Sequence, residues 1–199
     1  MKKLKLISLM LVCFAAVSVT FTSCNDDDDN VRTLTPEERA AAFNQVRGTH
    51  SGYLYYNKVD ASTSKTSLDS VAISWTIASD SVMTIKDFPI SVIGKYVRDT
   101  AVSKAFSQLP PQDMKCYIGF TSVSPVAFLI NPVTPQVQLT YGGATHKVLV
   151  PFYVNTAYSY GQINSQNKLR LQIIAGGIFA DGTQTDWLKG AVPFVFLGK

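Results

Sequence analysis

The sequence has little of the chemistry that most enzymes require. It contains three cysteines and two histidines among 199 residues, and its only glutamates are Glu37 and Glu38. It has no G-x-S-x-G motif and no metal-binding spacing such as H-x-x-x-H or C-x-x-C. We therefore predict no metal, no cofactor and no catalytic residue. A hydrolase whose serine, histidine and aspartate converge only in the fold stays open as an alternative.

Charged residues are also scarce, at 16% of the chain, whereas 46% of residues are hydrophobic, which excludes a disordered or fibrous protein. The formal net charge is +4, but Lys2, Lys3 and Lys5 lie in an N-terminal segment typical of removable export signals. The remaining charge is small and dispersed, so the sequence does not predict a nucleic-acid partner.

The first 23 residues are predicted to be a signal peptide. A positive start is followed by the apolar stretch Leu6–Val19, which is shorter than the roughly 20 residues of a membrane-spanning helix. The segment ends at Cys24 and resembles the lipobox of bacterial lipoproteins, which implies cleavage before this cysteine and its acylation. Each buried methylene of an acyl chain adds about 0.8 kcal/mol to membrane binding. We predict a lipid anchor at Cys24.

An acidic run, Asp26–Asp29, follows the predicted anchor directly. It resembles the surface-export signal of Bacteroidetes lipoproteins, which implies an outer-membrane protein exposed at the cell surface. The alternative is a solvated tether on a protein that faces the periplasm. Residues 24–33 are therefore predicted to be the lipidated cysteine and acidic tether, and residues 34–199 a single globular domain.

Cysteine use agrees with this division. Cys13 lies in the signal peptide and Cys24 carries the anchor, so only Cys116 remains and no internal disulfide forms. Alternation along the strand places Cys116 on the same face as Ile118 and Phe120, which predicts a buried small side chain rather than a nucleophile.

Two segments have helical patterns. Thr35 begins a capping-box sequence with Pro36 at the first helical position, and Gly48 is the predicted stop. A second helical spacing runs between Ile93 and Leu109, with Asp99 as its N-cap.

In the rest of the chain, apolar and polar residues alternate with a period of two, as at Val71, Ile73, Trp75 and Ile77. This pattern predicts strands with one buried face, and it places Trp75 in the core. Gly142-Gly143 and Asp181-Gly182 predict hairpins. The fold class is mainly β: an antiparallel sandwich or small barrel with an N-terminal helix and one internal helix. The predicted strands are Tyr53–Lys58, Ser70–Ile77, Val82–Lys86, Lys115–Ser122, Val126–Ile130, Gln136–Tyr141, Lys147–Val154, Leu169–Phe179 and Val192–Leu197.

Several strand and turn segments, taken together, resemble a family of Bacteroidetes lipoproteins known only as a domain of unknown function. The resemblance covers most of the chain after the signal peptide and supports the predicted location, but it implies no functional residues. The segments are Gly52-Tyr53-Leu54-Tyr55-Tyr56, Ser74-Trp75-Thr76-Ile77, Met83-Thr84-Ile85-Lys86-Asp87-Phe88-Pro89 and Ile130-Asn131-Pro132.

Tyr158 and Tyr160 are the candidate ligand-binding residues. They lie in a polar, amide-rich stretch, Asn155–Lys168, where tyrosines could form a flat platform with hydrogen-bonding neighbours suited to a sugar. The alternative is ordinary packing in a strand. We predict structural or solvated roles for the two histidines, with His50 at the start of a strand and His146 in a turn from Gly142 to Lys147.

Three short sequences fit the acceptor pattern of the O-glycosylation known from Bacteroidetes envelopes. They are Asp69-Ser70-Val71, Asp80-Ser81-Val82 and Asp99-Thr100-Ala101.

The sequence therefore favours a lipid-anchored envelope protein that is a non-enzymatic binding module for a glycan, peptide or protein partner. The first alternative is a structural component that pairs with a neighbour through an exposed strand edge. The hydrolase remains the second alternative.

Overall fold

The structure of the protein is a computed structural model that describes residues 33–59, 66–133 and 136–199. The predicted signal peptide, Cys24 and Asp26–Asp29 lie outside these residues and stay predictions. The elements are α1 (Pro36–Val46), β1 (Gly48–Val59), β2 (Thr66–Ile77), β3 (Val82–Phe88), a 3₁₀ helix (Ile90–Tyr96), α2 (Thr100–Ser107), β4 (Gln112–Val123), β5 (Val126–Val133), β6 (Val137–Tyr141), β7 (Ala144–Leu149), β8 (Tyr160–Ile163), β9 (Leu169–Ala175), β10 (Ile178–Ala180), β11 (Thr183–Thr185) and β12 (Val192–Gly198).

Eight of these strands close into an antiparallel barrel. Their order around it is β1-β12-β9-β8-β5-β4-β3-β2. The first and last strands of the barrel pair with each other, with Gly52 opposite Gly198 and Tyr55 opposite Val195. The predicted antiparallel fold with an N-terminal helix and an internal helix is confirmed. Of the two predicted architectures, sandwich and small barrel, the structure has the barrel, together with a smaller sheet.

The smaller sheet contains four strands in the order β11-β10-β7-β6. Both predicted hairpins lie in it. Gly142 and Gly143 have positive φ angles between β6 and β7, and Asp181 and Gly182 have them between β10 and β11. The two glycine-containing turns are therefore confirmed.

The barrel interior is filled by the alternating apolar residues. Trp75 is fully buried and contacts Phe196 edge to face, with the ring centroids 6.0 Å apart. Cys116 faces the same interior, as predicted. Val71 was predicted to share the buried face of Trp75, but it is 38% exposed. The reason is that β2 pairs with β3 only from Ser74 onward, so Val71 lies beyond that pairing.

Several strand predictions are wrong in their boundaries. The observed strands are longer than predicted at β1, β2, β4 and β5. Two further predictions differ more. Leu169–Phe179 is not one strand, because Gly176 and Gly177 separate β9 in the barrel from β10 in the smaller sheet. The predicted Lys147–Val154 begins earlier and ends earlier, at Ala144 and Leu149. Two short strands, β8 and β11, were not predicted.

The helices begin where the capping residues predict. In α1, the Thr35 hydroxyl accepts from the Glu38 amide and the Glu38 carboxylate accepts from the Thr35 amide. The internal helical pattern is split into the 3₁₀ helix and α2, and Asp99 caps α2 by accepting from the Val102 amide at 2.9 Å. No helix in the described ranges is long and apolar enough to cross a membrane.

The antiparallel order fixes which segments meet at each end of the barrel. One end carries α1, the beginnings of β1 and β9, and the ends of β8 and β12. The 3₁₀ helix and α2 follow the opposite end of β3. The tyrosines singled out from the sequence lie at the outer wall of β8 and β9.

Candidate ligand-binding face

The two tyrosines singled out from the sequence lie beside the same residue of β9. Tyr160 begins β8, where its register partner on β9 is Gln172, and its side chain is half-buried. Tyr158 lies in the turn before β8 and is 46% exposed. The Gln172 amide Nε2 donates to the Tyr158 carbonyl oxygen at 3.2 Å, which holds the turn against the outer wall of the barrel.

A third tyrosine completes this surface. Tyr153 is 42% exposed, and its ring centroid lies 5.2 Å from that of Tyr158 at an interplanar angle of 45°. Its ring covers Gly176, where an added Cβ would lie 3.0 Å from the ring atom Cζ. The Asn155 side-chain oxygen accepts from the Tyr158 amide at 3.1 Å and shapes the turn between the two rings. We call Tyr153, Tyr158, Tyr160 and Gln172 the tyrosine face.

The sequence did not identify Tyr153 or Gln172 as site residues. Both lie in segments whose alternating pattern predicts strands. In a strand, a tyrosine is expected to pack against its neighbours and a glutamine to face solvent. Gln172 is instead 1% exposed, because the turn that carries Tyr158 lies over it.

The next row of the outer wall adds further polar groups. Gln162 of β8 lies opposite Arg170 of β9, which lies opposite Leu197 of β12. Within the described residues, Arg170 Nε and Gln172 Oε1 are buried and have no hydrogen-bond partner. A buried polar atom without a partner costs roughly 1–3 kcal/mol, a cost that a bridging water molecule can remove.

The tyrosine face combines aromatic rings with amide groups. Tyrosine rings offer flat apolar area with a polar hydroxyl at the edge, and amide side chains both donate to and accept from hydroxyl groups. A shallow aromatic platform with a few directional polar groups is a common way to bind a polar ligand that has an apolar side.

A second cluster joins the hairpins of the smaller sheet. The His146 ring donates from Nδ1 to Asp181 Oδ2 at 2.8 Å, while Asp181 Oδ1 accepts from the Lys147 amide at 2.9 Å. Tyr141 stacks on His146 with centroids 4.1 Å apart, and Trp187 contacts Tyr141 edge to face. The predicted place of His146 in a turn is wrong: it lies in β7, because the turn is tightened to Gly142-Gly143.

This cluster predicts a pH-dependent contribution to stability. The hydrogen bond from His146, followed by that from the Lys147 amide, holds the pKa of Asp181 below its usual 3.8. A carboxyl group with a lowered pKa stabilises the fold above its unfolded pKa, and the contribution is lost as pH falls through the folded pKa. We expect Asp181→Asn, which tolerates the positive φ, to be less stable than wild type above about pH 5. The difference should shrink below 3.8.

Urea denaturation of both proteins at several pH values measures this difference. Asp186→Asn removes another exposed carboxylate, just after β11, and is the matched control. An Asp181→Asn penalty that is the same at low and neutral pH would show that the carboxylate charge does not contribute.

The other candidate residues have structural environments. Burial raises the pKa of the Cys116 thiol to about 12, so it stays protonated at neutral pH. His50 is the third residue of β1, and its Nε2 donates to the Val46 carbonyl oxygen at 2.7 Å. Across residues 33–59, 66–133 and 136–199, no three His, Cys, Asp or Glu side chains are placed to hold a metal ion.

The three predicted glycosylation sites are accessible on the surface. Ser70, Ser81 and Thr100 are all exposed. Mass spectrometry of the native protein would detect hexose-bearing peptides, and their glycosylation stays a prediction.

The described fold defines a class of protein: an antiparallel eight-stranded barrel with a smaller four-stranded sheet and an aromatic outer face. Residues 45–180 match the family described as Domain of unknown function (DUF4840), and the chain belongs to that family. The predicted resemblance to a domain of unknown function is confirmed to that extent. No curated protein and no solved structure matches the chain.

Proposed function

We propose that this protein is a lipid-anchored cell-envelope protein whose barrel is a non-enzymatic binding module, and that the tyrosine face binds a glycan. The observation that carries the proposal is the arrangement of Tyr153 and Tyr158. Both residues are more than 40% exposed, their ring centroids lie 5.2 Å apart, and the Gln172 amide holds the turn that carries Tyr158. Exposed aromatic rings that already pack against each other lose little conformational entropy when a ligand binds.

The test is a thermal-shift screen of the full chain against neutral polysaccharides, acidic polysaccharides, peptidoglycan fragments and unstructured peptides. A ligand at 100 times its Kd adds about 2.7 kcal/mol to the free energy of unfolding, which raises Tm by several degrees. We expect a shift with one class of glycan. A shift with peptides alone would replace the glycan by a peptide ligand, and no shift in any condition would contradict small-ligand binding at this face.

The proposed anchor and location rest on the sequence. The lipobox-like segment before Cys24 and the acidic run after it support an acylated, outward-facing protein. Membrane fractionation of cells that express wild type or Cys24→Ala tests the anchor. The variant is expected to leave the membrane fraction, and its retention there would contradict acylation at Cys24.

A second candidate is assembly through strand pairing. The closed barrel offers no free edge, whereas β6 and β11 form the two outer edges of the smaller sheet in the described part of the chain. Sedimentation of the full chain over a range of concentrations distinguishes the two candidates. Self-association that Thr140→Pro abolishes on the β6 edge would favour assembly, because proline removes a backbone donor.

A further inference from the structure

One charged side chain on the outer wall of β9 has no counter-charge among the described residues. Arg170 lies between Leu169 and Leu171, which are both buried in the barrel interior, so alternation along the strand places its side chain on the outer wall. Among the lysines and arginines whose exposure the structure describes, Arg170 is the only one that is not exposed. It is half-buried, and none of the ion pairs that join described residues includes it.

The neighbours of Arg170 on this wall are uncharged. Its register partners are Gln162 on β8 and Leu197 on β12, and the next outward position on β9 is Gln172. The Arg170 Nε is buried, whereas its Nη atoms are not among the buried atoms that lack a partner and therefore reach solvent. A guanidinium group is more weakly hydrated than an ammonium group and binds a carboxylate through two parallel hydrogen bonds. The free edge of this half-buried guanidinium is thus suited to an anionic group of a ligand.

Arg170 extends the row of β9 residues to which the tyrosine face is attached. Arg170, Gln172 and Ile174 follow one another on the outer side of β9, with about 7 Å between successive Cα atoms. The Gln172 amide holds the turn that carries Tyr158, and the Ile174 carbonyl oxygen accepts from the Tyr153 amide at 2.9 Å. The aromatic rings therefore lie beside one part of this row, and the guanidinium lies at its other end.

We infer that the glycan bound at the tyrosine face is acidic, and that Arg170 pairs with its anionic group, a uronate carboxylate or a sulfate ester. The inference rests on the proposed function and adds the class of glycan. The tyrosine rings contact the sugar rings, and Arg170 binds the charged substituent of a neighbouring sugar. Both anionic groups present a pair of oxygen atoms to the two donors of the guanidinium edge.

The test is a calorimetric titration of the full chain with short oligosaccharides of equal length. The probes are oligogalacturonate, its methyl ester and a sulfated oligogalactan, together with an oligo-aspartate peptide. The methyl ester keeps the sugar rings and removes the charge. We expect saturable binding of one of the two acidic oligosaccharides, and the one that binds identifies the anionic group. If it is the galacturonate, its ester should bind about tenfold more weakly; if it is the sulfated galactan, the unsulfated galactan should do so.

Variants of Arg170 test its role. Arg170→Gln should weaken binding of the acidic oligosaccharide about tenfold, the factor that corresponds to about 1.4 kcal/mol, and leave binding of the uncharged form unchanged. Arg170→Lys keeps the charge without the paired donors and should recover only part of this loss. Lys115→Gln removes an exposed positive charge from β4 on the same barrel wall and is the matched control, which should keep the wild-type affinity.

The comparison of charged and uncharged oligosaccharides in wild type does not depend on the folding of any variant. Equal affinity for the two forms, or no binding of either acidic oligosaccharide, would overturn the inference. Equal losses in Arg170→Gln and Lys115→Gln would overturn it in favour of general charge attraction.

Failure of this inference is distinguishable from failure of the proposed function. A glycan whose binding is lost in Tyr158→Ala but unchanged in Arg170→Gln would contradict the role of Arg170 and leave the tyrosine face as a glycan site. Binding of the oligo-aspartate peptide alone would contradict both proposals, because the ligand would then be an acidic peptide.

Discussion

Gly52→Ala is expected to lose about 3 kcal/mol of unfolding free energy, the upper end of the usual cost of overpacking. An added Cβ at this position would lie 2.0 Å from the Leu197 carbonyl oxygen and 2.8 Å from its carbonyl carbon. These are backbone atoms of β12, so no side chain can turn aside to relieve the contact. Because β1 and β12 close the barrel, the strands must separate at the one pairing that joins the first barrel strand to the last.

Gly119→Ala is the matched control for this prediction. Gly119 also lies within a barrel strand, but nothing is within 4 Å of its added Cβ. Replacing a strand glycine by alanine in open space stabilises by up to about 1 kcal/mol. Urea denaturation of the full chain compares the two variants. A Gly52→Ala variant within about 0.5 kcal/mol of wild type would show that β1 and β12 are not as close as described.

Tyr158→Ala is expected to weaken binding of the responding glycan by roughly 30-fold, which corresponds to about 2 kcal/mol and is typical of a central aromatic contact. Tyr158 is 46% exposed, its ring contacts that of Tyr153, and its carbonyl oxygen accepts from Gln172, which holds the turn in place. Tyr158→Phe should keep most of the affinity if the ring face carries the contact, and lose it if the hydroxyl does. Tyr160→Ala should weaken binding less, because this side chain is half-buried before the ligand arrives.

Tyr117→Ala provides the control for these affinities. Tyr117 is 49% exposed on β4, and Lys115 lies over its ring at 4.9 Å. The Tyr117→Ala substitution removes a tyrosine ring from the barrel wall and leaves the tyrosine face intact. Calorimetric titration of this variant should therefore give the wild-type Kd. Equal losses at Tyr117 and Tyr158 would indicate that exposed tyrosines bind the glycan nonspecifically.

The strands and caps could be predicted from the sequence because their signals are local. One buried face imposes alternation on a strand, as in Ile73, Trp75 and Ile77, and a cap requires only a side chain and the next turn of backbone. β8 was missed because Tyr160–Ile163 is short and mixes polar and apolar residues, and its place depends on β5 and β9 rather than on its own pattern.

Closure of the barrel and formation of the sites depend on contacts between distant residues. Whether strands form a sandwich or a barrel is decided by the pairing of β1 with β12, which no local pattern encodes. Only part of the tyrosine face could be predicted. The polar sequence around Tyr158 and Tyr160 indicated that they are exposed, whereas the burial of Gln172 depends on a turn that the fold places over it.

The most direct test of the proposed function is amide chemical-shift mapping of the full chain titrated with the responding glycan. If the tyrosine face binds it, the largest shift changes lie at Tyr153, Tyr158, Tyr160 and Gln172, and Tyr158→Ala removes them. Changes confined to another surface, or changes at the tyrosine face that persist in the Tyr158→Ala variant, would contradict the proposal.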